Sequence, residues 1–494
     1  MPPTIERHRT ALQRGNLSRP VKRALSDGLI APTVTVFDYG CGRGGDLAQL
    51  EAQGVACSGW DPAFRADTKR SPADVVNLGF VLNVIEEPRE RAEALRKSWE
   101  LAGRVLVVSA QVHVSSRGKT SVPYGDGVVT IRGTFQKFFD QGELKEYIET
   151  ELGTEAIPAE PGIFYVFRDE AAREQFVASR YRRREAAPRK RRSEVLYEEN
   201  RELLDAFMET MAEYGRLPDL EEWPRVAEVT ERFGSLNKAF ALVRRITGPE
   251  EWEQIAQRRR EDIFVFLALA RFRKRPALAA LPRTLQRDVK ALFGSYTKAC
   301  KDADELLFRV GKSDAVDEAC KRSPVGKLLP NALYVHRTAL DYLEPVLRVY
   351  EGCGRAYLGE VEGANLIKIH RFSGKISYLI YPDFDDDPHP PLFRSFKLDM
   401  RSRQLESLDF GKNGNPPVLH RKESFLQENH PLREKFARLT AQEEKAGLLD
   451  DTATIGTRDG WATRLAEKGF KLSGHRLVKG KKERGTPERS DDAS

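Results

Sequence analysis

The sequence predicts an α/β fold at the N-terminus, a mainly helical middle region and an α+β region at the C-terminus. Residues 34–170 alternate short apolar runs with amphipathic stretches, the pattern of a Rossmann-like parallel sheet covered by helices. Residues 194–345 place apolar residues at three-and-four spacing, which predicts helices. From about residue 350 strand-like runs return, and helices are expected near 431–445 and 459–468. The predicted boundaries are 1–175 for the first domain, 176–193 for a basic linker, 194–345 for the helical region, 346–478 for the α+β domain and 479–494 for a polar, disordered tail.

Six apolar runs in the first domain are candidate strands. They are Thr35–Tyr39, Ala56–Trp60, Ala73–Leu78, Arg104–Ser109, Glu155–Ala159 and Ile163–Arg168. The last two flank Pro161-Gly162 and predict a terminal antiparallel hairpin, which follows a helix expected at about 135–152. A parallel sheet that ends in such a hairpin is typical of the S-adenosylmethionine (SAM)-dependent fold. In the C-terminal region the candidate strands are Ala356–Val361, Ile367–Arg371, Lys375–Tyr381 and Ser395–Asp399.

The composition predicts a folded cytoplasmic protein that does not cross a membrane. Of the 494 residues, 40% are hydrophobic and 31% are charged. No apolar run approaches the ~20 residues needed to span a bilayer. The first residues, Met1–Glu6, contain no apolar signal core. The five cysteines show no Cys-x-x-Cys spacing, so we predict neither a disulfide framework nor a thiolate zinc site.

Basic charge favours a polyanionic partner, and nucleic acid is the partner that we expect, with DNA favoured over RNA. The formal net charge is +7. The segment Ser179–Arg192 is dominated by arginine and lysine around a single Glu185. Phosphate binding and a merely solvated tether both remain open for it.

A weak internal repeat lies in the helical region. Phe233-Gly234-Ser235 is followed by Lys238-Ala239, and Phe293-Gly294-Ser295 by Lys298-Ala299. A helix, a glycine turn and a second helix are the layout of small helix-turn-helix modules. The repeat also looks like the short DNA-binding helical repeats that accompany homing endonucleases. A tandem of ordinary helical hairpins explains the same residues.

The strongest motif is the turn after the first predicted strand, Asp38-Tyr39-Gly40-Cys41-Gly42-Arg43-Gly44. Glycines let the backbone approach a ligand where a Cβ would clash, and amides at the start of the next helix face the bound molecule. A Rossmann dehydrogenase instead carries Gly-x-Gly-x-x-Gly around a pyrophosphate. An acidic residue before Gly-x-Gly-x-Gly is typical of SAM enzymes. We therefore expect the SAM site to include Asp38, Gly40, Cys41, Gly42 and Gly44.

Two further elements support this interpretation. Asp61 ends the second predicted strand, where a carboxylate can accept both ribose hydroxyls of a nucleoside. Asp74–Gly79 resembles the fourth-strand motif of class I methyltransferases, which places Asn77 and Leu78 beside the sulfonium and adenine of SAM. An ordinary buried strand is the alternative for this segment. Together the three elements predict a class I SAM-dependent methyltransferase domain.

Two candidate catalytic residues, Tyr124 and Asp126, lie beyond the predicted strand Arg104–Ser109, on the side where substrates usually enter. Asp126 or Tyr124 could act as a base or a positioning group, although a glycine turn with a capping aspartate explains the same letters. Further substrate-side candidates are Asn83, Gln136 and Lys137.

The acceptor atom is not predicted. The sequence Asn77-Leu78-Gly79-Phe80 lacks the two prolines of DNA N6-adenine enzymes. There is also no Pro-Cys pair near it, which argues against cytosine C5 methylation. In the C-terminal region, Asp383–His389 is dense in oxygen ligands, but its spacing matches no metal motif, and no metal ligand is assigned.

The chain resembles the DNA phosphorothioation-associated methyltransferases, bacterial proteins encoded beside DNA sulfur-modification systems. The resemblance covers nearly the whole chain. The segments that carry it are Val36–Gly44, Asp74–Gly79, Pro123–Gly127, Phe164–Arg168, Ser323–Pro330, Tyr381–Asp385 and Leu419–Glu423.

This resemblance implies a SAM-dependent methyltransferase linked to DNA modification or phage defence, with partners from a DNA-modification system. It carries over no acceptor atom. Two alternatives stay open: a methyltransferase that acts on tRNA or a small molecule, and a non-catalytic SAM-binding, DNA-binding regulator.

Overall fold

The computed structural model describes residues 5–11, 15–112, 121–183, 187 and 195–479. The chain divides into two compact units. The first comprises Met1–Lys312 with Pro345–Val361, and the second comprises Ser313–Glu344 with Glu362–Ser494. The α/β and helical regions thus share one unit, whereas the sequence predicts a boundary between them at 175. Most of the predicted tail, from residue 480, lies outside the described residues.

The N-terminal α/β region contains five helices and nine strands within the described ranges. They are α1 (Arg19–Ser26), β1 (Val36–Tyr39), α2 (Gly45–Ala52), β2 (Cys57–Trp60), β3 (Ala73–Gly79), α3 (Pro88–Leu101), β4 (Ala102–Ser109), β5 (Ser121–Tyr124), β6 (Gly127–Thr130), β7 (Phe135–Gln136), α4 (Gln141–Leu152), β8 (Ala156–Glu160), β9 (Ile163–Phe167) and α5 (Glu170–Ser179).

The predicted Rossmann-like sheet with a terminal hairpin is confirmed. Six strands lie in the order β2-β1-β3-β4-β9-β8. The pairs β1–β2, β1–β3 and β3–β4 are parallel, whereas β9 runs antiparallel to both β4 and β8. Because the carboxyl ends of parallel strands meet at one edge, the turns after β1, β2 and β3 are neighbours.

The middle strands are buried on both faces, as expected for a sheet covered by helices. All residues of β1 and β9 are buried. Phe37, Leu78, Leu106 and Phe164 lie in one hydrophobic cluster with the apolar faces of the neighbouring helices. This core fixes the strand ends and so positions the turns that follow them.

The helix predicted at 135–152 is shorter in the structure. Phe135 belongs to β7, which pairs with β6 in a separate three-stranded sheet. The helix α4 begins only after Asp140, whose side chain forms a capping box with Glu143. Asp140 and Glu143 are a capping pattern that the sequence already contains, but the predicted helix starts earlier, at the apolar Phe135.

The helical region of the first unit contains seven helices among the described residues up to 312. They are α6 (Val195–Glu198), α7 (Arg201–Tyr214), α8 (Val226–Phe233), α9 (Leu236–Thr247), α10 (Pro249–Leu269), α11 (Arg283–Phe293) and α12 (Tyr296–Val310).

The internal repeat corresponds to two helix pairs with the same turn. Gly234 and Gly294 have positive φ angles of 79° and 76°. The Ser235 and Ser295 hydroxyls each accept a hydrogen bond from the amide three residues on, both at 3.2 Å. Each pair, α8–α9 and α11–α12, is therefore a helix, a left-handed glycine and a capped second helix.

A buried carboxylate joins α11 to α10 and to the loop that follows α7. Asp288 of α11 is fully buried, and its two oxygens accept hydrogen bonds from Arg216 and Arg259. Arg216 also binds Glu222 at 2.6 Å. The pairing of every charge explains why these residues tolerate burial.

The rest of the chain contains four further helices and eight strands within the described residues. They are α13 (Ser313–Arg322), β10 (Lys327–Leu329), β11 (Ala332–His336), α14 (Pro345–Leu358), β12 (Leu366–His370), β13 (Lys375–Ile380), β14 (Arg394–Asp399), β15 (Gln404–Asp409), α15 (Arg433–Lys445), α16 (Arg458–Glu467), β16 (Phe470–Leu472) and β17 (Leu477–Lys479). The strands β10 to β15 form one antiparallel sheet in sequence order.

Two sequence expectations fail in this part. The strand predicted at Ala356–Val361 is wrong, because its first half belongs to α14 and its second half is a loop. In α14, Arg348 binds Asp262 of α10 at 2.8 Å, which ties this helix to the first unit. The strands β10 and β11 lie inside the range predicted to be helical, because their few residues are too short to show an alternating pattern.

None of the helices in the described ranges is both long enough and apolar enough to cross a membrane.

Candidate cofactor and acceptor site

The turn between β1 and α2 has the backbone conformation that glycine favours. Gly40, Gly42 and Gly44 have φ angles of 87°, 52° and 79°. A residue with a Cβ is strained at such angles. Gly44 is also the residue that precedes α2, so the first amides of this helix open onto the turn.

Three segments of the chain converge on these glycines. A Cβ on Gly40 would collide with Val81, and one on Gly44 would lie 2.6 Å from the Arg65 guanidinium. A Cβ on Gly42 would lie 3.2 Å from Ala11. Gly40 and Gly42 therefore allow a close approach of the chain itself, whereas the guanidinium beside Gly44 is the end of a flexible side chain that can move.

Asp61 lies against the glycine turn. One carboxylate oxygen accepts a hydrogen bond from the Gly42 amide at 3.0 Å. The other oxygen accepts from the amides of Ala63 and Phe64, at 2.9 and 3.0 Å. The residue predicted to bind a ribose is thus held at the carboxyl edge of the sheet, beside the turn.

Asp38 and Asn77 face each other on neighbouring strands. Both residues are buried, and the Asn77 amide donates to the Asp38 carboxylate at 2.8 Å. The side-chain oxygen of Asn77 is buried without a hydrogen-bond partner among the described residues. Such an atom is costly to leave unpaired, which marks Asn77 as a point where a ligand could donate.

Leu78 and Cys41, two other predicted cofactor residues, have side chains that offer a ligand little chemistry. Leu78 is fully buried in the core cluster of the sheet, so only its backbone can face a ligand. Burial, and secondarily the nearby Asp38, raises the pKa of the Cys41 thiol to about 12. Cys41 is therefore a neutral thiol rather than a nucleophile.

Sequence reasoning missed Arg65 and the conformation of Phe80. Arg65 is exposed beside Gly44, and no carboxylate in the described part of the chain pairs with it. Phe80 follows β3 directly and has a φ of 59°, which is unusual for an aromatic residue. Its amide donates to the Ser109 carbonyl and to the Ser109 hydroxyl, both at 3.0 Å. Strained residues of this kind cluster at functional sites.

The N-terminal segment 5–11 crosses this edge of the sheet. Arg7 donates to both carboxylate oxygens of Glu86 at 2.8 Å and also binds Glu90. The Glu6 amide donates to the Gly133 carbonyl at 2.9 Å. Together with the approach of Ala11 to Gly42, these contacts place the segment over the turn that follows β1.

The candidate catalytic residues also lie together, but most of their polar groups are engaged. The side-chain amide of Asn83 donates to the side-chain oxygen of Gln136 at 3.0 Å. The side-chain oxygen of Asn83 accepts from the backbone amide of Gln111 at 3.3 Å. Tyr124 is half-buried and packs edge-on against Phe135, with the ring centroids 6.4 Å apart.

Asp126 is held by two cations. The Arg91 guanidinium binds both of its oxygens, at 2.7 and 3.0 Å, and Lys137 lies 3.1 Å away. The Arg91 hydrogen bonds, ahead of those from Lys137, lower the Asp126 pKa to about 2. A carboxylate with so low a pKa is a poor proton acceptor near neutral pH, so these contacts favour a positioning role for Asp126.

The arginines that the structure describes at the start of the basic segment, Arg180, Arg182 and Arg183, are engaged in contacts within the chain. Arg182 binds Glu213, and Arg183 binds Asp262 at 2.6 Å. Arg180 is half-buried and donates to the Pro158 carbonyl. Among the basic residues that the structure describes here, intrachain contacts prevail. Residues 184–186 and 188–194 lie outside the described ranges.

The acidic and histidine-rich residues of the C-terminal region make other contacts. Within the described residues, no group of three or more His, Cys, Asp or Glu side chains is arranged to hold a metal ion. His389 instead binds Glu443 at 2.6 Å, and the Lys422 ammonium donates to the Phe384 carbonyl at 2.7 Å.

No protein-family model matches the chain. No curated protein sequence matches it either. Solved structures that it resembles are methyltransferases. The 1,6-didemethyltoxoflavin N1-methyltransferase of Burkholderia thailandensis, solved with S-adenosylhomocysteine bound, is 15% identical with a TM-score of 0.24, and the match covers 30% of this chain and 76% of that one.

Two further solved structures give similar values. For a sugar N-methyltransferase from Streptoalloteichus, the identity is 15%, the TM-score 0.23 and the coverage 30% of this chain and 86% of that one. A SAM-dependent methyltransferase from Aquifex aeolicus is 17% identical with a TM-score of 0.22, and the match covers 31% of this chain and 89% of that one. Scores this low carry no conclusion on activity, and the fold assignment rests on the strand order and directions given above.

Proposed function

We propose that this chain is a SAM-dependent methyltransferase that acts on nucleic acid as part of DNA modification. The observation that carries the proposal is the hydrogen bond between Asp61 and the Gly42 amide. It joins a glycine turn and an acidic residue at the carboxyl edge of a Rossmann-like sheet, where ligands of such sheets bind.

The residues present fit SAM. The exposed Arg65 guanidinium beside Gly44 offers an ion-pair partner for the carboxylate of its methionine end. The orphaned Asn77 oxygen can accept a hydrogen bond from the ligand. When bound, SAM supplies an electrophilic methyl group on a sulfonium.

Asp61 has limited capacity for the ribose. A carboxylate has about four acceptor positions, and backbone amides of Gly42, Ala63 and Phe64 take three of them. One sugar hydroxyl can therefore bind without any rearrangement. A two-hydroxyl grip requires one of these amides to turn away.

The side chains near the proposed acceptor position can orient an acceptor, but none of those described is an evident general base. Arg91 and Lys137 fix Asp126, and Asn83 is fixed by Gln136 and Gln111. Methyl transfer depends mainly on alignment of the nucleophile with the methyl group. We assign positioning to Asn83 and Asp126, and we keep Tyr124 as the residue that could contact the acceptor.

Nucleic acid as the acceptor is supported by the net charge of +7 and by the two capped helix pairs. Each pair begins its second helix with an exposed lysine, Lys238 or Lys298. The link to DNA modification rests on the resemblance of the sequence to phosphorothioation-associated proteins.

The test is incubation of the purified chain with tritiated SAM and with fractionated cellular DNA, RNA and metabolites. We expect label in DNA and none with an Asp61→Ala variant. Label in RNA or in metabolites alone would replace DNA by a tRNA or small-molecule acceptor. SAM binding with no transfer to any fraction would contradict the enzyme and favour a SAM-binding regulator.

A further inference from the structure

A row of lysines crosses one face of the antiparallel sheet in the second unit. Directly paired residues of neighbouring strands lie on the same face of a sheet. The register joins Lys327 to Tyr334, Lys368, Ser377, Lys397 and Glu406, so one row runs across all six strands. Its three lysines stand on alternate strands, β10, β12 and β14.

The opposite face of the same sheet is apolar. The neighbouring register row contains Leu333, Ile369, Ile376, Leu398 and Leu405, of which the first four are buried. Alternation along each strand therefore places the lysines on the other face. At one end this other face is also covered, because Leu366 and Leu379 are buried in a second hydrophobic cluster against which Tyr334 packs. The lysine side chains are half-exposed, and Lys397 is 33% exposed.

Opposite charges on directly paired strand residues stabilise a sheet, and this half-buried row has such a pair only at one end. Lys397 binds Glu406 at 2.6 Å. Lys327 and Lys368 pair with no carboxylate among the described residues, and both lie near aromatic rings instead. The Lys368 ammonium is 5.1 Å from the Tyr334 ring centre, and the Lys327 ammonium is 5.6 Å from that of Phe425.

His370 lies on the same face as the lysine row, two residues after Lys368 in β12. Its Nε2 lies 3.0 Å from the Ser377 hydroxyl. Burial, followed by the charges of Lys368, Lys397 and Lys375, lowers the His370 pKa to about 4. Two lysines of the row, Lys368 and Lys397, therefore contribute to this shift, and Lys375, which lies 3.3 Å from Asp399, adds to it.

We propose that the lysine row Lys327–Lys368–Lys397 binds the phosphate backbone of single-stranded nucleic acid. Neighbouring strands are about 4.8 Å apart, so the row spans roughly 19 Å, the length of several nucleotides. A row of cations that follows the phosphate backbone is the electrostatic part of a single-strand binding site. The choice of nucleic acid rests on the proposed function, and a single strand suits it because a base must leave the helical stack to be modified.

The experiment uses the full chain and a fluorescein-labelled single-stranded DNA 20-mer, with anisotropy measured over a range of salt concentrations. The test variant is Lys368→Gln with Lys397→Gln. The control is Lys445→Gln with Lys468→Gln, which removes the same charge from exposed lysines of the second unit that lie outside the sheet.

We expect the test variant to bind about tenfold more weakly at low salt, and its slope of log affinity against log salt to fall by about 1.4, or 0.7 for each phosphate contact. The control should match the unaltered chain in both. An unchanged slope in the test variant, or an equal loss in the control, would overturn the proposal. Competition by polyglutamate as effective as by DNA of equal charge would also overturn it, because the surface would then be a general polyanion site.

Thermal unfolding midpoints of both variants establish that they fold. The outcome is separable from the proposed function, because binding and methyl transfer are measured independently. Loss of binding in the test variant without any transfer activity would keep the surface and reject the enzyme. Methyl transfer to DNA together with unchanged DNA binding by the test variant would support the enzyme and reject the lysine surface.

Discussion

Asp61 and Gly42 stand 19 residues apart in the sequence, and a 3.0 Å hydrogen bond joins the carboxylate of the first to the amide of the second. The same carboxylate therefore fixes the glycine turn and borders the proposed sugar site. We expect Asp61→Ala to weaken binding of S-adenosylhomocysteine by roughly a hundredfold, about 2.7 kcal/mol, as measured by calorimetry.

Asp61→Asn retains an oxygen that can accept from Gly42 and should lose less affinity. Asp67→Ala is the matched control, since this exposed residue lies six positions further along the same loop. Equal affinity of Asp61→Ala and Asp67→Ala would remove Asp61 from the cofactor site.

Arg65 provides a test of how the ligand is oriented. If its guanidinium binds the ligand carboxylate, Arg65→Gln should weaken S-adenosylhomocysteine binding by roughly fivefold, the size expected of an exposed ion pair. The same variant should bind 5′-methylthioadenosine as the unaltered chain does, because that nucleoside has no carboxylate. A comparable loss for both ligands would mean that Arg65 acts through the fold, and Lys69→Gln controls for the charge removed.

Asp288 should be important for the stability of the helical region. It is fully buried between Arg216 and Arg259, so Asp288→Asn leaves two guanidinium groups without their shared anion. Breaking a buried pair in this way costs about 3 kcal/mol, which denaturant titration would detect. Glu221→Gln also breaks bonds to two arginines, but on the exposed surface, and should leave the midpoint unchanged. Equal effects of the two substitutions would contradict the importance of burial.

Acid should destabilise the second unit. Burial is the first cause that lowers the pKa values of His336, His370 and His475 to about 4 and that of His420 to about 3. Their ordinary value is 6.5, so between pH 6.5 and pH 4 the unfolded chain binds protons that the folded chain does not. The stability is complete above pH 6.5 and is lost as the pH falls through this window.

Hydrogen exchange of β12 to β14 at pH 7 and pH 5 measures this effect. We expect faster exchange through unfolding at pH 5, after correction for the intrinsic pH dependence. His420→Asn should reduce the difference, because one group that binds a proton on unfolding is then missing. A pH-independent free energy of opening would contradict the pKa shifts.

The sequence motifs were informative where function and local backbone coincide. The glycines of the turn after β1 and the acid that ends β2 follow from the residue types alone, and the structure brings Asp61 and Gly42 together. Arg65 gave no such signal, because an isolated arginine in a loop does not reveal what it faces. The left-handed conformation of Phe80 could not be predicted either, because phenylalanine has no preference for positive φ angles.

Long-range pairing explains the other differences. The basic segment from Ser179 was open to phosphate binding, yet Arg183 finds Asp262, 79 residues away. The apolar residues near Ala356 favoured a strand, but they continue a helix that starts at Pro345 and is fixed by Arg348. In both cases the partner that decides the structure is distant in sequence, so local patterns could not identify it.

The segment 5–11 links events at the N-terminus to those at the turn after β1. Ala11 lies against Gly42 while Arg7 is anchored by Glu86 and Glu90. A molecule that enters beside Gly42 must displace these residues or become enclosed by them. Cleavage by trypsin after Arg7 or Arg9 would therefore report occupancy of the turn, slowing if the ligand is enclosed and accelerating if the segment is pushed aside.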